Sequence, residues 1–145
     1  MKSARPQPPV IIMVDDESGV LRAFEIVIRR WFKNVTLLLF ENPVEAWQEL
    51  LRTTPDLLIM RDRMPGLTGQ EIAQRLMDRK VTFPIIIGGG WPPTEEWVNE
   101  YTNENPNITF LRYPCTTEEI YERLSKYLGA SDSPPQFPKA TGNYP

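Results

Sequence analysis

Five short apolar runs, each leading into a segment of helical period, constrain the architecture of this 145-residue chain. Val10 to Val14 precedes Val20, Leu21, Phe24, Val27, Ile28 and Trp31, which recur at the three-to-four spacing of one helix face. Val35 to Phe40 leads past Asn42-Pro43 into Ala46, Trp47, Leu50 and Leu51. A proline in the first helical turn gives up an N–H that has no partner there. Leu57 to Met60 precedes Ile72, Ala73 and Leu76, and Ile85 to Ile87 is ended by Gly88-Gly89-Gly90. Behind Pro92-Pro93, the residues Trp97, Val98 and Tyr101 give a short helical stripe. Ile108 to Leu111 is the fifth run. After it, Thr116-x-x-Glu119 reads as a capping box that opens a helix carrying Ile120, Leu124 and Leu128, closed by Gly129 in the left-handed conformation.

Five β-then-α units with apolar strands imply a parallel sheet covered by helices on both faces. The expected fold is therefore α/β: a five-stranded, doubly wound, flavodoxin-like (βα)5 domain over residues 10–129. The flanks, "MKSARPQPP" at 1–9 and the stretch from 130 to 145, are rich in proline. They have too little apolar surface to offset their ordering entropy, so they read as flexible segments. In open sheets of this kind the chemistry collects at the carboxyl ends of the strands, here just after Val14, Met60, Ile87 and Leu111.

Composition removes several function classes. A formal net charge of −3 lacks the basic footprint of a nucleic-acid-binding domain. The chain has no histidine, which excludes a histidine-based triad or zinc site, and its single cysteine, Cys115, cannot form an internal disulfide. No apolar stretch approaches the roughly 18 residues needed to span a bilayer, and no signal-type run opens the chain. The cytoplasm is the expected compartment.

After the first run comes Asp15-Asp16-Glu17. An acidic triplet here reads either as a solvated turn facing the positive end of the next helix or as a hard-oxygen site suited to magnesium. After the third run comes Arg61-Asp62-Arg63, an arginine where the first charge falls with an aspartate directly behind it.

The stretches "IIMVDDESGVLRAF", "ENPVEAW", "PDLLIMRDRMPGLTGQEI", "PIII" and "FLRYPCTTEEI" together resemble the response-regulator receiver domain of two-component signalling. That resemblance implies a pocket built from an acidic pair, a phosphoacceptor aspartate, a hydroxyl residue and a lysine, working with Mg2+. The acidic pair, and with it any weak metal site, maps to Asp15 and Asp16. The acceptor falls six residues after Pro55 and three before Met64, and both counts give Arg61. The hydroxyl position is Gly89, the lysine position is Tyr113, and the switch aromatic is Phe110.

A guanidinium is permanently charged, has no acceptor and cannot attack phosphorus. Its fork does suit carboxylates, so Arg61 is expected to pair with Asp15 or Asp16 where magnesium would otherwise sit. At an effective dielectric near 20 such a contact has a Coulomb term of about 4 kcal/mol before desolvation. The alternative is a surface arginine whose stem lies on apolar neighbours. Asp62 is either a displaced acceptor or an ordinary solvated or helix-capping carboxylate; alternation along an extended segment turns it away from the pocket if Arg61 points in. Gly88-Gly89-Gly90 reads as a flexible turn or, failing that, as a phosphate cradle. Trp91 is either an interface anchor or a lid on the glycines. Tyr113 would fill the lysine's space and accept a bond from Arg61, and Cys115 stands for the apolar residue common after the family's proline.

The expected function is a degenerate receiver, a signalling domain and not an enzyme. It would bind a protein partner such as a histidine kinase or an effector domain through the Trp97 segment, the fifth strand and the last helix. No cofactor is expected, and Arg61 weakens any Mg2+ site. A homodimer through the last two helices stays open. The main alternative is a phosphorylatable receiver using Asp62 or an acid-pair carboxylate with Mg2+; the other is an unrelated small-ligand or nucleotide binder of the same fold.

Overall fold

The computed structural model describes residues 7–90, 103–129, 131 and 134–137. Five strands, β1 (Val10–Val14), β2 (Thr36–Phe40), β3 (Leu57–Arg61), β4 (Ile85–Gly89) and β5 (Ile108–Arg112), form one sheet in the order β2-β1-β3-β4-β5. Every pairing is parallel, with Val14 opposite Met60 and Arg61 opposite Gly88. Parallel neighbours need a crossover. Among the described residues these are helices α1 (Ser18–Trp31), α2 (Pro43–Leu50) and α3 (Gly69–Asp78), and α4 (Thr117–Leu128) follows β5.

Side chains alternate across each strand, and both faces are buried. Ile11, Met13, Leu57, Ile59 and Ile86 pack with Phe24, Val27 and Ile28 of α1 and Ile120 and Leu124 of α4. Ile12, Val14, Leu58, Met60, Ile85 and Ile87 pack with Ala46 of α2 and Ile72, Ala73 and Leu76 of α3. The central strands β1, β3 and β4 are buried on both faces, as their apolar runs required, while the edge strands β2 and β5 are only partly covered. The strand order reverses between β1 and β3, so the crevice at their carboxyl ends is where the fold collects function.

The helix starts follow their local chemistry. Asn42 Oδ1 accepts from the Val44 N–H, with Pro43 at the first helical position. The expected capping box of Thr116 and Glu119 is present. A second one, Thr68 with Glu71, opens α3 with the same spacing and was legible in "TGQE".

Four expectations are corrected. Gly88 and Gly89 are strand residues and not a turn: Gly88 O accepts from the Asp62 N–H and Gly89 O from the Tyr113 N–H. An anion nest needs successive N–H groups converging in a turn, so in extended strand conformation a phosphate cradle at these two positions loses its basis. Gly129 has positive φ, but its φ of 79° and ψ of 166° are not the left-handed helical cap; only glycine takes that region readily. Arg61 is the last residue of β3, one beyond the expected end. The apolar packing also continues past Gly129, because Phe137 packs against the α1–α4 core cluster. The helix expected on Trp97, Val98 and Tyr101, and Trp91 with it, lie outside the described residues.

Candidate functional site

The end of β1 delivers Asp15 into full burial, while Asp16 and Glu17 turn outward. Asp15 is held by its own backbone: its N–H donates to Phe40 O at 3.0 Å, and its Oδ1 accepts the Glu17 N–H at 2.9 Å. Facing it from β3 is Arg61, which shares the α1–α4 side of the sheet with Leu57 and Ile59 by strand alternation.

The guanidinium meets all three acids of the triplet. Arg61 Nη1 lies 3.4 Å from Asp15 Oδ1, Nε lies 3.8 Å from Asp16 Oδ1, and Nη2 lies 3.3 Å from Glu17 Oε1. Only 19% of the arginine side chain is exposed, against 0% of Asp15 and 61% of Glu17. Glu17 is the partner that sequence reading did not assign, although it stood in the same triplet. The distances are those of ion pairs and not of tight bidentate forks, so one cation is shared among three anions.

Burial pushes the Asp15 carboxyl above the ordinary aspartate range; the Glu17 N–H and the Arg61 charge oppose that rise without cancelling it. Desolvation therefore outweighs the attraction of Arg61 at this carboxyl. Its second oxygen, Oδ2, is buried with no hydrogen-bond partner among the described residues.

Tyr113 closes the other side. Its ring packs edge-on against Phe24, with centroids 6.0 Å apart, and lies 5.8 Å from the Arg61 guanidinium carbon, within cation–π range. The expected bond from Arg61 to the phenol is not made: Tyr113 Oη is buried without a partner among the described residues. Burial, and next the Asp15 charge, drive the phenol's pKa far up, so it stays neutral. The ring occupies the space above Gly88, where a built Cβ would collide with Cζ and Oη. Gly89, which the resemblance puts at the hydroxyl position, follows Gly88 at the end of β4 and by alternation belongs to the other face.

Asp62 does not join this cluster. It follows Leu58 and Met60 toward the α2–α3 side, and no described residue bonds its carboxylate. Partial burial raises its pKa, and among the described residues the Arg63 charge opposes that rise. Phe110 also faces the α2–α3 side, packed against that core, while its carbonyl accepts from Arg123 Nη1 at 2.9 Å. Cys115 is half-buried, and its thiol is pushed up to about 11 by burial and then by Glu119.

A magnesium ion needs converging oxygens with room for retained water. Here three nitrogens of Arg61 stand on the open side of the very carboxylates that would supply those oxygens. No group of three histidine, cysteine or acidic side chains able to hold an ion occurs among the described residues. The arrangement does not fit the metal that the resemblance implies. Chemically it holds a fixed positive group against an acidic cluster.

A doubly wound parallel domain with an acidic cluster at the end of β1 facing the end of β3 defines a class of signalling domain. The chain belongs to the response regulator receiver domain family, whose model matches residues 11–124. It is 31% identical over 81 residues to the DNA-binding transcriptional regulator NtrC of Escherichia coli, which covers 56% of this chain but only 17% of that protein. It is 25% identical to the sporulation initiation phosphotransferase F of Bacillus subtilis, over 81% of this chain and 92% of that one. In fold it is similar to the signal receiver domain of an HD domain-containing protein from Pseudomonas fluorescens, with a TM-score of 0.71, 21% identity, and coverage of 88% of this chain and 91% of that one. Among the described residues, no helix is long and apolar enough to cross a membrane.

Proposed function

We propose that this chain is a receiver module whose phosphoacceptor position is held by Arg61, and that it signals by protein contact without an aspartyl phosphate. One observation carries the reading: the Arg61 guanidinium lies 3.3 to 3.8 Å from Asp15, Asp16 and Glu17. Guanidinium offers no nucleophile, and it neutralises the acids that would hold magnesium. In a protein with two conformations, a permanent ion pair biases the equilibrium as a bound ligand does. The module is therefore set in one state by its own sequence, and a histidine kinase, effector domain or other signalling protein reads that state through β5 and α4. Arg123 supports this surface by fixing the β5 backbone at Phe110.

Incubation with acetyl phosphate and magnesium, read by intact mass, tests the proposal. No mass gain is expected under conditions that phosphorylate an ordinary receiver. A gain of one phosphoryl group that Asp62→Asn abolishes would replace this reading with a displaced acceptor.

A further inference from the structure

Helices α2 and α3 cover the side of the sheet opposite α1 and α4. The Trp47 side chain of α2 is half-buried against that core, and two guanidinium groups of α3 reach its ring. Arg75 Cζ lies 5.3 Å from the ring centroid and Arg79 Cζ 6.0 Å, both within cation–π range. The two arginines stand one helical turn apart, where like charges repel. Among the described residues, no carboxylate pairs with either of them. The neighbouring acids are turned elsewhere. Glu71 closes the capping box with Thr68, Asp78 accepts from Gln74 Nε2 at 3.1 Å, Glu49 pairs with Arg52 at 2.9 Å, and Glu45 lines a cavity beside α1. Just past α3, Lys80 adds a third exposed cation at a φ of 58°, a left-handed position that glycine takes more readily.

We propose that this α2–α3 surface docks an acidic amphipathic segment of a partner protein, its carboxylates on Arg75 and Arg79 and its apolar side chains on Val44 and Leu51. Val44, Trp47 and Leu51 are spaced three and four apart, which puts them on one stripe of α2. Val44 is 47% exposed and Leu51 49%, two of the three large apolar side chains left open among the described residues. The stripe and the arginine pair therefore meet at Trp47. A carboxylate brought to the pair offsets the repulsion between the two guanidinium groups and forms charge-assisted hydrogen bonds with them. The ring already holds both groups in place, so binding orders less side chain than a pair of free arginines would require. A nucleic acid fits this surface poorly: Val44 and Leu51 offer a phosphate backbone nothing, and a chain of net charge −3 repels a polyanion.

Fluorescence anisotropy of a labelled helical peptide, with Leu along one face and Glu beside it, titrated with the full chain, tests this. Wild type is expected to bind the peptide, more weakly as salt is raised. The Arg75→Gln, Arg79→Gln double variant should bind about tenfold more weakly. Leu51→Ser should also weaken binding, whereas Lys33→Gln, an exposed cation just past α1, should leave it unchanged. All four positions are exposed, so the far-UV circular dichroism of each variant should match wild type. A peptide with Gln in place of Glu should lose most of the binding. No binding to wild type, or equal affinity in the double arginine variant, would overturn the proposal. So would tighter binding of a single-stranded oligonucleotide, lost in the same variant, because a phosphate backbone would then be the occupant.

Discussion

The ring of Tyr113 lies in the space that any side chain on Gly88 would need. The two residues come from adjacent strand ends, so the aromatic ring of Tyr113 and the bare backbone on β4 are one packing solution. Gly88→Ala is predicted to destabilise by roughly 1–3 kcal/mol, the usual cost of overpacking a closed site. In a Tyr113→Leu background the same substitution should cost measurably less, because contacting residues couple. Urea denaturation of the four proteins measures the coupling; strict additivity would show that the collision is relieved elsewhere.

Removing the cation should cost stability. Breaking a fully buried ion pair from one side costs roughly 3–5 kcal/mol, but Arg61 is 19% exposed and Glu17 61%. The expected loss for Arg61→Ala is therefore smaller, about 1–3 kcal/mol, and millimolar magnesium should recover part of it by satisfying the exposed acids. A loss within error of zero would identify Arg61 as an ordinary surface side chain.

Asp15 gives a pH signature of definite sign. Its folded pKa lies above the ordinary 3.8 because of burial, so the native state holds its proton more tightly than the unfolded chain. The contribution to stability is fully present below 3.8 and is lost as pH rises through the folded value. The stability of wild type minus that of Asp15→Asn should fall as pH is raised from below 3.8 through the folded value. A difference that rises over that range would mean that Arg61, and not desolvation, dominates.

Cys115 should be sluggish toward thiol reagents. With the thiol pushed up to about 11 from 9.0, the thiolate fraction at pH 8 falls about 100-fold, and reactivity follows the thiolate. Labelling with a chromogenic disulfide should be slow in the native protein and fast in urea; equal rates would remove burial as the cause.

Much of the fold was legible from residue order, because five short apolar runs alternating with helical periods match strands buried on both faces of a parallel sheet. What was not legible was three-dimensional in origin. A glycine triplet looks like a turn, yet Gly88 and Gly89 stay in the ladder because β5 and the Asp62 N–H occupy their hydrogen bonds. The Tyr113 phenol was expected to meet Arg61, but its ring leans on Phe24 and Gly88, which sequence separation conceals. Phe137 sits in a proline-rich tail whose composition alone argues against packing, and only the face made jointly by Trp31 and Tyr121 gives it a partner.

The central claim is that a guanidinium holds the acidic triplet in place of a divalent ion, and calorimetric titration with magnesium tests it most directly. Wild type should give no binding heat at millimolar magnesium, whereas Arg61→Asp, which restores a carboxylate beside Asp15 and Asp16, should bind the ion. Equal magnesium affinity in the two proteins would contradict the account.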